Sequence, residues 1–175
     1  MHQAFYYQFY PVLMRVCIRY APNREDAEQW VHDAFIRIFD QLGKFSFEGS
    51  FEGWLKKITA RVCLDNIRKH KALKFNIENN LVLTDYEDPD FYYSVDNKFM
   101  SKISTESVLD MLSQLSEKKR IVFNLYVFEE FSRKEIAQIL DIRENYVYWL
   151  MHQARKDLQN ILKSFYKKEA EHEKQ

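Results

Sequence analysis

Gly43-Lys44-Phe45-Ser46-Phe47-Glu48-Gly49-Ser50-Phe51-Glu52-Gly53-Trp54-Leu55-Lys56-Lys57-Ile58 is the stretch on which the reading of the fold turns. Residues 43–53 hold all three glycines of a 175-residue chain, and the whole chain has only three prolines. A sandwich or barrel needs frequent turns, and turns draw on those two residue types, so an all-β fold is excluded. Hydrophobic residues make up 46% of the chain, enough to bury a core. The glycine stretch therefore reads as one loop between helices. It opens a helix over about 51–71, in which Trp54, Leu55, Ile58 and Val62 share one face and Lys57, Arg61, Arg68 and Lys71 share another.

Upstream, Phe5, Phe9, Leu13, Val16 and Tyr20 recur at helical spacing and predict a helix over 4–20. Pro22-Asn23 ends it, and Asn23 is placed to cap a second helix, with Asp26 three residues on. That helix is expected to run to Leu42, burying Ala27, Trp30, Val31, Ala34, Ile38 and Leu42, with Gly43 as its stop. Downstream, residues 75–104 show no sustained period and read as an acidic linker. Helices are then expected over 105–114, 117–129, 133–140 and 144–168, with Ser132 and Glu135 as a capping box. Val147, Leu150, Met151, Ala154, Leu158, Ile161 and Phe165 form the apolar stripe of the last. A short helix, a tight turn and a long amphipathic helix make a helix-turn-helix pattern, although the turn lacks the usual glycine. The expected organisation is an all-α chain of two small helical domains, residues 1–74 and 105–170, joined by the linker 75–104 and followed by a charged tail, 171–175.

The net charge of zero hides segregation. Residues 54–74 hold seven bases against one acid, Asp65, a net of +6. Residues 74–105 hold three bases against six acids. A basic block on a folded domain points to a polyanion. Aromatics beside it (Phe45, Phe47, Phe51, Trp54) suit unstacked bases, which can lie on a ring. Phe51 and Trp54 read first as core residues, and Phe45 and Phe47 stand evenly between the two readings. Catalysis finds no support: the five histidines are scattered, and no nucleophile motif or phosphate-cradling loop is present. No metal or cofactor is expected. Cys17 and Cys63 have neither metal-ligand spacing nor the number for a disulfide scaffold. No apolar run approaches a membrane span and the first residues lack a signal-peptide pattern, so a cytoplasmic protein without membrane insertion is expected.

Two long stretches resemble a known family. Arg24-Glu25-Asp26-Ala27-Glu28-Gln29-Trp30-Val31-His32-Asp33-Ala34-Phe35, the loop described above, and Leu64-Asp65-Asn66-Ile67-Arg68 resemble region 2 of the extracytoplasmic-function (ECF) sigma factors, small members of the sigma-70 family of bacterial RNA polymerase. Leu115-Ser116-Glu117-Lys118-Lys119-Arg120, then Phe131-Ser132-Arg133-Lys134-Glu135-Ile136-Ala137, then Ala154-Arg155-Lys156-Asp157-Leu158, resemble region 4. The resemblance implies a non-catalytic promoter-specificity subunit. Asp26, Glu28, Gln29, His32, Asp33 and Phe35 would bind the clamp helices of the polymerase β′ subunit. Lys44, Phe45, Phe47, Glu48, Gly49, Ser50, Trp54, Lys57, Arg61, Arg68 and Lys71 would read and open the −10 element. Region 4 would sit on the β flap and present Arg133, Lys134, Arg143, Asn145, Tyr148, Trp149, His152 and Arg155 to the −35 element. An anti-sigma factor is a further partner typical of such proteins.

The chain departs from the family pattern in three places. Arg61 stands where Asn is common, His32 where Gln is common. The recognition helix offers Glu144, Tyr148, Trp149 and His152 in place of a small-residue turn followed by Lys and Arg. Phosphate contact needs cations, whereas exposed Tyr and Trp favour protein interfaces. Two expectations stand side by side: an ordinary −35 reader whose aromatics contact thymine methyls and sugars, or weak −35 reading with docking of region 4 on a DNA-bound protein such as an activator or a nuclease-dead RNA-guided protein. The alternative function is a helix-turn-helix regulator acting without core polymerase.

Overall fold

The computed structural model describes residues 2–70 and 104–172, with the side chains of 2, 70, 105 and 166–172 left aside. The expected linker, all but Ser104, lies outside these residues, as do Lys71 and the end of the charged tail. Among the described residues there are seven α-helices and no strand. They are α1 (His2–Tyr20), α2 (Arg24–Gln41), α3 (Phe51–His70), α4 (Thr105–Ser113), α5 (Glu117–Val127), α6 (Arg133–Leu140) and α7 (Glu144–His172). Two compact units result. One comprises the described residues of Met1–Phe75 together with Asn124–Ser132, the other those of Asn76–Phe123 and Arg133–Gln175.

In the first unit α1, α2 and α3 all pack on one another. The helical spacing seen in the sequence brings Leu13, Val16, Cys17, Val31, Ala34, Ile38, Leu55 and Leu64 into one core, each almost fully removed from water. Cys17 and Cys63 are free thiols buried between α1 and α3, their sulfurs 3.7 Å apart. Burial pushes the Cys63 thiol well up, since a thiolate there would lose its hydration. Asn23 caps α2 as its sequence suggested. Its side-chain oxygen accepts from the Asp26 N–H at 2.8 Å, and its Nδ2 donates to the Asp26 carboxylate at 2.8 Å. Leu42 departs from expectation. The helix ends at Gln41 and tightens into a 3-10 turn, Leu42–Lys44, which turns Leu42 outward.

Asn124–Ser132 completes this unit. Glu129 is fully buried, taking Arg19 Nη2 at 2.5 Å and the Tyr20 hydroxyl at 2.9 Å on its two oxygens. Burial still pushes the Glu129 carboxyl up, against the opposing pull of Arg19 and Tyr20. Tyr20 is pushed up as well, by its own burial and the neighbouring carboxylate. Glu130 follows with φ 56°, in the left-handed region. Its side chain gives no local compensation of the Asn or Asp kind, so the strain stands.

In the second unit α4 and α6 pack on α7. Ile136, Val147, Leu150, Met151 and Ala154 make the core, and Lys119 Nζ holds the Asp157 carboxylate at 2.6 Å. The turn between α6 and α7 lacks glycine but not its geometry. Asp141 takes φ 53°, and the Ile142 N–H reaches back to the Ala137 carbonyl at 3.0 Å. That is the helix-closing bond a C-terminal glycine normally permits, here reached by one of the few other residue types that tolerate it.

Two substitutions test these local readings by urea unfolding. Asn23→Ala lowers stability by about 1 kcal/mol through loss of the cap. Glu130→Gly raises it by about 0.5–1 kcal/mol, because relief of left-handed strain exceeds the freedom added to the unfolded chain.

Candidate nucleic-acid interface

Aromatic side chains organise the entrance to α3. Phe45 packs its ring 5.0 Å from Phe51 and 5.3 Å from Trp54, and Phe51 stacks on Trp54 at 5.8 Å. Phe51 continues inward to Phe9 at 5.7 Å and Phe5 at 6.1 Å. Phe45, Phe51 and Trp54 are thus half-buried members of a ring cluster. Phe47 is different. It is 89% exposed and holds φ 59°, with the Phe45 ring beside it at 5.2 Å. Gly49, at φ 79°, carries the chain back toward α3. Ser50 accepts from the Gly53 N–H at 3.1 Å and caps that helix. Lys44 and Glu48 are exposed on the same loop.

The basic face of α3 divides in two. Lys57 and Arg61 lie over the Phe131 ring, at 4.7 and 5.9 Å from its centroid. Arg68, two turns further, sits 3.6 Å from Asp65, which also faces Arg37 at 3.5 Å. Both arginines therefore stand beside an acid that the helical wheel had counted only against the net charge.

On α2, Gln29 and His32 are exposed, and Asp26, Glu28 and Asp33 are half-buried. Glu28 pairs with Arg24 at 3.0 Å, and Tyr6 stacks on the His32 ring at 6.0 Å. Phe35 is the exception in this group. It is only 3% exposed and packs against Tyr6, Phe5 and Phe39, so it supports the face from beneath instead of lying on it. Asn66 was not singled out by sequence reasoning. It is buried, and its Nδ2 lies 3.2 Å from both the Asp33 carboxylate and the Val62 carbonyl. A polar residue on the apolar stripe of α3 was the signal available. Asn66 and the neighbouring Arg37 and Asp65 line one concavity with Asp33.

In the second unit Arg133, Lys134, Arg143, Asn145 and His152 are exposed, and Arg155 is half-buried. Lys134, Arg143 and Asn145 line a shallow groove at the turn. Tyr148 and Trp149 are half-buried, not the freely exposed rings the sequence suggested. Trp149 stacks on Tyr146 at 5.7 Å, and Arg133 lies over the Tyr148 ring at 5.8 Å. One helical turn separates Tyr146 from Trp149, so the rings shield each other.

No group of three or more metal-ligating side chains occurs among the described residues, and no helix there is long and apolar enough to cross a membrane.

The chain matches Sigma-70 region 2 over residues 5–73 and Sigma-70 region 4 over residues 105–158. It is 26% identical to the RNA polymerase sigma factor YlaC of Bacillus subtilis (strain 168) over 163 residues, covering 91% of each chain. It is 28% identical over 156 residues to the ECF RNA polymerase sigma factor SigW of the same organism, covering 86% of this chain and 83% of that one. Among solved structures it resembles the sigma factor RpoE, in complex with the anti-sigma factor NepR from Bartonella quintana, with a TM-score of 0.57 and 20% identity over 92% of this chain and 96% of that one. Two regional matches in order, on two helical units of the corresponding fold, establish that the chain belongs to the extracytoplasmic-function sigma factors of the sigma-70 family, initiation factors that bind core RNA polymerase and promoter DNA.

Proposed function

We propose that this chain directs initiation by opening the −10 element with the loop 44–50 and the face of α3, residues 1–74 acting as region 2 and 105–170 as region 4. The observation that carries the reading is Phe47. An apolar ring held almost wholly in water on a strained backbone is what a stacking platform for an unpaired base requires. A base extruded from the duplex would stack on it, supported by the Phe45 ring, while Lys57, Arg61 and Arg68 face the backbone. Stacking contributes roughly 1–3 kcal/mol per base, comparable to the few kcal/mol needed to extrude one. Asp26, Glu28, Gln29, His32 and Asp33 form the face offered to the β′ clamp helices. Region 4 docks on the β flap, and an anti-sigma factor that covers these faces fits the same arrangement.

Region 4 reads the −35 element weakly in this proposal. Arg143 and Asn145 line the shallow groove at the turn, where a phosphate could approach them, but Glu144 beside them repels it. The half-exposed Tyr148 and Trp149 with Arg133 favour an additional contact with a protein already on the DNA. Nothing among the described residues singles out an RNA-guided protein as that recruiter.

In transcription with core polymerase, Phe47→Ala is expected to lower open-complex formation by about 5- to 100-fold, the loss of one stack. Its unfolding free energy is expected to stay within about 0.5 kcal/mol of the parent, because the ring is exposed. Normal open-complex formation by this variant would remove the basis of the reading. Arg143→Ala is expected to lower the slope of log affinity against log salt for promoter DNA by about 1, the signature of a single lost phosphate contact.

A further inference from the structure

Cys17 and Cys63 are the only cysteines of the chain, and neither takes part in the DNA or polymerase contacts proposed above. They stand 46 positions apart, one on α1 and one on α3, yet the Cys63 thiol donates to the Cys17 sulfur at 3.7 Å. Both are free thiols with no exposure to water.

A lone buried cysteine packs as a small apolar residue. Two whose sulfurs meet across a helix seam have a further chemistry open to them. A disulfide needs its sulfurs at about 2.05 Å. Starting from 3.7 Å, each side chain has to move by less than about 1 Å, within reach of a modest χ1 rotation. Burial sets the conditions for that step. The thiolate is the attacking species, and the apolar surroundings keep the Cys63 thiol protonated. Attack therefore waits for a local opening of the seam between α1 and α3. Once made, the bond closes that seam covalently.

We propose that Cys17 and Cys63 are a redox-sensing thiol pair: a low-molecular-weight disulfide oxidises them to one internal disulfide, which clasps α1 to α3 and stabilises the first unit. One cysteine, as its thiolate, attacks the small disulfide, forming a mixed disulfide and releasing one small thiolate. The second cysteine attacks that mixed disulfide and releases the other. The protein loses two electrons and two protons, and the small disulfide takes up both and departs as two thiols. Both sulfurs are buried, so the clasp covers neither Phe47 nor the cations of α3.

Fold and bond support each other by one factor, because folding and oxidation close a single thermodynamic cycle. Linking a loop of this size lowers the unfolding constant by roughly 30- to 1,000-fold.

The test equilibrates the full chain with reduced and oxidised glutathione, in native buffer and in concentrated urea. Acid quenching and intact mass give the fraction with an internal disulfide, two hydrogens lighter than the dithiol. With two cysteines in the chain, that bond can only join Cys17 to Cys63. The expected equilibrium constant for forming it is roughly 30- to 1,000-fold larger in native buffer than in urea. Urea unfolding of the oxidised chain is expected to show stabilisation by the same factor, reversed by dithiothreitol. Cys17→Ala and Cys63→Ser are each expected to lose this stabilisation, whatever their own baseline stability. The clasp is overturned by a chain that stays dithiol or takes up only glutathione. It is equally overturned by a disulfide no more favoured in the folded chain than in urea, or by a stabilisation that survives in either variant.

Discussion

What the N-terminal unit can offer a DNA strand depends on the packing of Phe45 and Phe51 against Trp54. These rings tie the loop to the start of α3, and Phe51 joins them to the core through Phe5 and Phe9. Partial burial of three large rings contributes roughly 2–5 kcal/mol, enough to offset the roughly 1–3 kcal/mol that a strained backbone residue costs. The anchors can therefore hold Phe47 in the left-handed region and turn its ring to water, an arrangement a free loop would relax. Glycine at 49 closes the loop without adding a second strain.

Local chemistry was legible wherever neighbours in the chain decide the outcome. The apolar spacing of α1, α2 and α7 gave their buried faces, and the Asn23 cap followed from residue type and position. Leu42 failed because the helix tightened one residue before the stripe reached it. Phe35 failed because a helix position next to a polar face can still point inward once a neighbouring helix supplies rings. Asp141 shows the reverse: the absent glycine weakened the helix-turn-helix reading, yet the turn formed. The Glu129 seat had no local mark at all. Its partners are 109 and 110 residues away in sequence, and a glutamate between a phenylalanine and another glutamate reads as solvated.

The two units distribute their charges differently. Region 2 concentrates cations on α3 and sets rings beside them. Region 4 starts its long helix with Glu144, which favours the helix, since an acid near the N-terminus complements the backbone dipoles. The same charge opposes a DNA backbone. Folding and groove binding thus compete at one residue, and the nearby stack of Tyr146 on Trp149 buries ring surface that could have touched thymine methyls. The fold is kept while an acid stands at the head of its last helix.

The polar character of the Glu129 contact adds selectivity more than strength. A carboxylate that gains Arg19 and Tyr20 but loses its hydration leaves a small net balance. An arginine, a tyrosine hydroxyl and an asparagine amide nevertheless meet this one segment together, so the pairing admits one arrangement even where its net contribution is low.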